Sequence, residues 1–179
     1  MRVINEETGL GRCASAIKVQ AASRVLNGVF MSAEDGTKLE VFSVWKQDVF
    51  AFCRMFLGNG PAAEEAACQA FVTFYRGRGT SPVDDGIRSS LIRSAFQASE
   101  RVAMGKLSTD SGTSPLERAM QELPQIERAI VIMRNILHMD WKQMASATEL
   151  SSEGVHEAWK HGFVRLNALL HTDSSKERY

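Results

Sequence analysis

Apolar residues along this chain recur with a helical period. From Lys38 to Leu57, the positions Val41, Trp45, Val49, Phe52, Cys53 and Phe56 repeat at three and four, with Phe42, Val44 and Phe50 widening the stripe. That spacing predicts an amphipathic helix with one buried face. Gly58-Asn59-Gly60-Pro61 ends it, since glycine accepts a left-handed cap and proline cannot continue the ladder. A second helix is predicted over Ala62–Tyr75, with Ala63, Ala66, Ala67, Phe71 and Phe74 as its apolar members. Glu64 and Glu65 in its first turn suit the helix dipole. Residues 76–82 read as a loop. A third helix runs from Asp84 to Met104, carried by Ile87, Leu91, Ile92, Ala95 and Val102.

The segment from Gly105 to Thr113 is small and polar and reads as a flexible linker. Ser114-Pro115 with Glu117 then supplies a cap, a proline at the first helical position and a capping-box acid. A short helix over Leu116–Leu123 follows. Pro124 opens another, in which Ile126, Ala129, Ile130, Met133, Ile136 and Leu137 line one face, and His138 ends it. No alternating strand pattern or hairpin turn occurs. The fold class is therefore all-α, as two small helical bundles joined by a flexible linker. The expected boundaries are an N-terminal extension of unassigned role (1–36), a first bundle (37–104), a linker (105–114), a second bundle (115–171) and a polar, fraying tail (172–179). Ala14–Met31 in the extension could form a helix weakened by Gly28.

The end of the second bundle organises the rest. Asp140 caps a short helix, with Gln143 completing the capping-box pattern. Thr148-Glu149-Leu150 makes a turn. Ser151 or Ser152 then caps a longer helix, along which Val155, Trp159, Gly162, Leu166 and Leu169 recur at helical spacing. Two helices across so short a turn fit a helix-turn-helix, whose second helix enters a DNA major groove. The same spacing also fits an ordinary helical hairpin. If the second helix reads DNA, the residues opposite its apolar face meet the duplex. Those are Ser152, Glu153, His156, Glu157 and Lys160, with His161 at the edge and Arg165 nearer the backbone. Lys142 and Gln143 on the preceding helix would hold phosphates.

Composition trims the alternatives. The chain has 179 residues, 44% of them apolar, enough for a packed core. No apolar run is long enough to span a bilayer, and the acidic start is unlike a signal peptide, so a cytoplasmic protein without membrane insertion is expected. Three cysteines, Cys13, Cys53 and Cys68, show no paired spacing, which argues against a disulfide framework or zinc site. Cys53 and Cys68 lie in apolar patterns where buried thiols are the default. His156 and His161 are not spaced as two metal ligands on one helix face. No nucleophile triad, carboxylate pair or phosphate loop stands out, so an enzyme is not expected. The net charge of zero counts against a strongly basic nucleic-acid binder. Trp45, Trp141 and Trp159, each in an apolar stripe, read as core anchors.

Residues 38–170 resemble bacterial sigma factors of the extracytoplasmic-function group. The C-terminal similarity rests on Leu116, Leu123-Pro124, the apolar helix Ala129–Met133, Met144-Ala145, Ser151, Val155 and Leu166, in the family's order without a gap. The N-terminal similarity rests on Leu57-Gly58, Glu64-Glu65, Phe71 and Tyr75. The resemblance implies a transcription initiation factor whose partners are core RNA polymerase, promoter DNA and an anti-sigma factor. It implies no cofactor and no metal. The first bundle would bind polymerase, through Glu64, Glu65 and Gln69, and melt the promoter's downstream element. The second would read the upstream element.

The departures from the family are specific. Cys68 and Gln69 stand where the family has a Gln-Glu pair, so one acid is lost. In the third helix Ser90 replaces the usual Trp, Gln97 the Asn, and Arg101 falls near an Asp. Arg88 and Arg93 keep the basic type, so Arg88, Arg93 and Gln97 are the implied DNA contacts there. The recognition helix keeps only Lys160 and Arg165 as fixed cations. Glu149 sits where the turn often has Gly. The alternative reading is a sigma-like decoy that binds polymerase or an anti-sigma factor without opening promoters.

Overall fold

The computed structural model describes residues 35–58, 60–77, 85–105 and 114–176. The expected helix at Ala14–Met31, the loop after Gly77 and the linker at 106–113 lie outside the described residues. Seven helices are seen in the described part: α1 (Asp35–Leu57), α2 (Gly60–Gly77), α3 (Asp85–Gly105), α4 (Pro115–Gln121), α5 (Gln125–Asn135), α6 (Trp141–Thr148) and α7 (Ser152–Lys176). No strand occurs among the described residues, so the all-α expectation holds.

The α1 stripe is buried along Val41, Val49, Phe52, Cys53 and Phe56, while Trp45 is half-buried and Val44 faces out. Burial pushes the Cys53 thiol up to about 12, which makes it an inert core residue. Cys68 is only half-buried, against the expectation of a core thiol. Helix α2 buries four alanines, Ala62, Ala63, Ala66 and Ala70. Small residues there let α2 pack closely on α3, which buries small residues of its own at Ala95, Ala98 and Ser99. Phe96 on α3 meets Phe52 and Phe56 of α1 edge-on, at 6.4 and 5.7 Å between ring centroids. Tyr75 donates its hydroxyl to the Lys38 carbonyl at 2.7 Å, tying the end of α2 to the start of α1.

The later helices start on the caps that the sequence names. Ser114 Oγ accepts the Glu117 N–H at 3.1 Å, and the Glu117 carboxylate accepts the Ser114 N–H at 3.3 Å. Asp140 and Gln143 exchange the same pair of bonds, at 2.7 and 3.1 Å. Each reciprocal box satisfies two donors that the first turn would otherwise leave orphaned. Helix α5 ends at Asn135, one residue short of Ile136, which is exposed, whereas Leu137 is buried. His138 lies beyond the helix at φ 53 and is solvent-exposed. Helix α7 runs on to Lys176, past the expected tail boundary, because its last turns are polar and leave no apolar period to read.

The described residues from Thr37 onward belong to one compact unit. Helix α3 packs on α6, and polar contacts join α1 to the later helices. Arg128 on α5 donates to the Phe56 carbonyl at 2.9 Å, to the Gln121 side chain at 3.0 Å and to the Leu123 carbonyl at 2.9 Å. Its guanidinium also lies over the Phe56 ring, 5.1 Å from the centroid. Gln121 donates to the same Phe56 carbonyl at 3.1 Å. The turn after α1 fits against it because Gly58 takes φ 68, and a Cβ there would come within 3.0 Å of the Gln121 amide. Arg54 pairs with the capping acid Glu117 at 2.9 Å.

Candidate nucleic-acid interface

Helices α6 and α7 meet across the turn at Glu149. That residue closes α6 in the left-handed conformation, φ 60 and ψ 20, as its place in the glycine-favouring position suggests. Ser151, not Ser152, caps α7: its Oγ accepts the Gly154 N–H at 3.1 Å. Val155 and Leu166 are buried, and so is Gly162. A Cβ at Gly162 would stand 3.0 Å from Val131 Cγ2 and 3.2 Å from the Glu127 carbonyl, so glycine lets α7 lie against the α5 backbone.

The opposite side of α7 is open. Ser152, Glu153, Glu157, Lys160 and His161 are all exposed, as is Lys142 on α6. Lys160 and Lys142 have no ion-pair partner among the described residues. The remaining candidates on this pair of helices have other contacts. His156 is half-buried and stacks on Trp141, 3.8 Å between ring centroids. Gln143 is half-buried in its capping box. Arg165 reaches back to Glu127 at 3.0 Å. The open face therefore carries two carboxylates and one lysine, with His161 beside them.

An aromatic row flanks this face, and sequence reasoning did not find it. Arg134 lies over Trp141 at 4.6 Å, Trp141 meets Trp159 edge-on at 5.7 Å, and Trp159 stacks on Phe163 at 5.3 Å. The Trp159 indole N–H donates to Asn135 Oδ1 at 3.2 Å. The tryptophans thus pin α6 and α7 to the end of α5 as half-buried anchors. No sequence signal marks Arg134 or Asn135, whose partners sit on other helices.

Residues 114–160 match the family model for sigma-70, region 4. The likeness lies in this segment of the chain. The matched segment opens on the Ser114 cap and closes at Lys160 on α7, so it takes in the whole α4–α6 array and the turn. The match points to a sigma-70-type transcription factor, in which α6 and α7 correspond to a helix-turn-helix. No curated protein matches the chain.

The sites expected on the first bundle fall outside that match. Glu64 and Glu65 are exposed on α2, and Gln69 donates to Glu65 at 3.3 Å, which puts Glu65 and Gln69 on one face with Glu64 beside it. Gln97 is exposed on α3. Arg88 and Arg93 are instead engaged within the unit. Arg88 pairs with Asp48 at 2.8 Å and donates to the Leu137 carbonyl, while Arg93 pairs with Glu149 at 2.8 Å and donates to the Ser146 carbonyl. No helix among the described residues is long and apolar enough to cross a membrane.

Proposed function

We propose that this chain is a sigma factor of the extracytoplasmic-function group. It joins core RNA polymerase in the cytoplasm and directs it to promoters, with α7 laid in the major groove of the upstream element. The observation that carries this reading is the region 4 match over residues 114–160, on helices whose α7 leaves Glu153, Glu157, Lys160 and His161 open to a duplex.

The chemistry of that face sets the terms. Each Lys or Arg on a phosphate releases counterions and adds salt-dependent, sequence-independent affinity. With Lys160 and Lys142 as the free cations and two acids beside them, isolated affinity for DNA is weak. Base-edge contacts each discriminate by about 1–3 kcal/mol and set the sequence preference. Tethering to polymerase supplies the missing affinity as effective concentration. The α2 face of Glu64, Glu65 and Gln69 is the proposed tether. Residues 37–104 and 115–171 act as its polymerase-binding and DNA-reading parts, joined through 105–114. An anti-sigma factor is the natural inhibitor of such a protein. Promoter melting through α3 would use Gln97 directly, whereas Arg88 and Arg93 would first have to leave their present partners.

The test is capture of purified core polymerase on the immobilised chain. Retention that survives washing at moderate salt supports the reading, and no retention contradicts it.

A further inference from the structure

Helices α1–α3 and α4–α7 meet along a polar seam. At one end Arg54 of α1 pairs with Glu117 of α4 at 2.9 Å. Beside it Arg128 of α5 and Gln121 of α4 both donate to the Phe56 carbonyl, at 2.9 and 3.1 Å. At the other end Arg88 of α3 donates to the Leu137 carbonyl and lies over Trp45 at 5.4 Å, and Arg93 pairs with Glu149 at 2.8 Å. Three buried side-chain donors among the described residues have no hydrogen-bond partner: Trp45 Nε1, Arg54 Nη1 and Arg128 Nε. All three belong to residues of this seam or packed against them. A buried donor without a partner disfavours the packing that buries it, and separation returns it to water. The buried apolar residues of both groups nevertheless form one continuous cluster, so separation also exposes apolar surface. Covalent connection permits the movement: residues 105 and 114 can stand up to about 30 Å apart, the reach of nine extended residues.

We propose that this packing is a closed, autoinhibited form of the chain, which core polymerase opens. The inference rests on the function proposed above, in which the first bundle serves the downstream promoter element and the second the upstream one. Bundles joined along the seam do not reach both elements. The seam also withholds Arg88 and Arg93, the α3 cations that melting would use, on the Leu137 carbonyl, Asp48 and Glu149. Glu64 and Glu65 on α2 stay exposed, so polymerase can engage that face before the bundles part. The open side of α7 is not covered either. What the closed form denies is the separation of α7 from α3. Opening needs a partner that covers the apolar surface it exposes, and polymerase is that partner.

The test reads the distance between the bundles in the full chain by fluorescence energy transfer. Labels go on Ser43→Cys in α1 and Asn167→Cys in α7, both exposed positions, with Cys13 and Cys68 changed to serine and the buried Cys53 left in place. The free chain should show one population, which core polymerase converts to one of lower transfer. Affinity for core polymerase is the second readout, because a chain that binds fully only when open loses affinity in proportion to its closed fraction. Arg54→Ala removes an ion pair that only the closed form makes, so binding should tighten about tenfold. Glu149→Gly releases Arg93 and keeps the left-handed turn, and its more exposed pair should give a gain of about two- to threefold. Arg101→Ala is the control, since that side chain is exposed on α3 and donates to the Gln97 carbonyl of its own helix, and affinity should not change. A merely structural seam predicts the reverse, weaker binding by the less stable variants. All measurements stay below every melting onset. If Arg54→Ala does not fold, Glu149→Gly and the transfer measurement decide. Unchanged transfer in the polymerase complex, or no gain in affinity from the folded variants, overturns the inference alone. Polymerase binding by no variant contradicts the function itself and overturns the inference with it.

Discussion

Gly162 tests how closely α7 approaches α5. Replacing it with alanine has two opposed effects. Alanine favours a helix interior over glycine by about 0.8–1.0 kcal/mol. Against this, the new Cβ would stand 3.0 Å from Val131 Cγ2, 3.1 Å from Glu127 Cβ and 3.2 Å from the Glu127 carbonyl oxygen. Two of those atoms are fixed to the α5 backbone, and a valine in a helix is held to one χ1 rotamer. Relief therefore requires α7 to move off α5, and overpacking of this kind costs about 1–3 kcal/mol. Gly162→Ala should thus be net destabilising by about 1 kcal/mol, and Gly162→Val by more, since it loses alanine's propensity gain. For a chain of 179 residues, 1 kcal/mol lowers Tm by about 2–4 °C. Gly77→Ala is the control, because a Cβ there meets nothing within 4 Å. Far-UV circular dichroism melts of the three variants read the effect. A Gly162→Ala protein as stable as wild type, or more stable, would refute the close approach.

Other predictions follow from the same geometry. Lys160→Ala should weaken DNA binding by the polymerase-bound chain, with a salt slope smaller by about one unit if it holds a phosphate. Glu157→Lys should raise non-specific binding or relax preference at one base pair, since a carboxylate on DNA is tolerated only against a cytosine amino group. Filter binding at low salt measures both, and no change in either variant would remove α7 as the reader. Charge reversal at Glu64 and Glu65, with Gln69→Lys, should weaken binding to core polymerase while leaving the melt unchanged, and unaltered affinity would dismiss that surface. Burial pushes the Tyr75 phenol from 10 up to about 12. The neutral form is thus favoured in the folded state, and the stability it brings is full below pH 10 and lost as pH rises towards 12. Tyr75→Phe should flatten the fall in Tm over that window, and a slope equal to wild type would contradict it.

What the sequence made legible was local. The boxes at Ser114–Glu117 and Asp140–Gln143 depend on residues three apart, and both form as read. Glu149, where such a turn often has Gly, is left-handed. Periodicity located the helices but not their edges: Val44 fits the α1 stripe in spacing yet is 50% exposed, and polar residues 172–176 stay helical without any apolar signal. Gly162 was legible as a member of the apolar face of α7. Its reason, the nearby α5 backbone, appears only in three dimensions. Arg88 and Arg93 carry the sharpest lesson. Their residue type matches a DNA-contact pattern, but their partners lie 49 and 53 positions away, a separation that no spacing rule reaches. The aromatic row from Arg134 to Phe163 was hidden for the same reason.

The central claim is that this chain brings polymerase to specific DNA through α7. Run-off transcription of genomic fragments by core polymerase, with and without the chain, tests it most directly. The account predicts chain-dependent start sites that share an upstream sequence element, and a Lys160→Ala or Glu157→Lys protein should change the yield or choice among them. Start sites identical with and without the chain, while wild-type protein is bound to the polymerase, would contradict it.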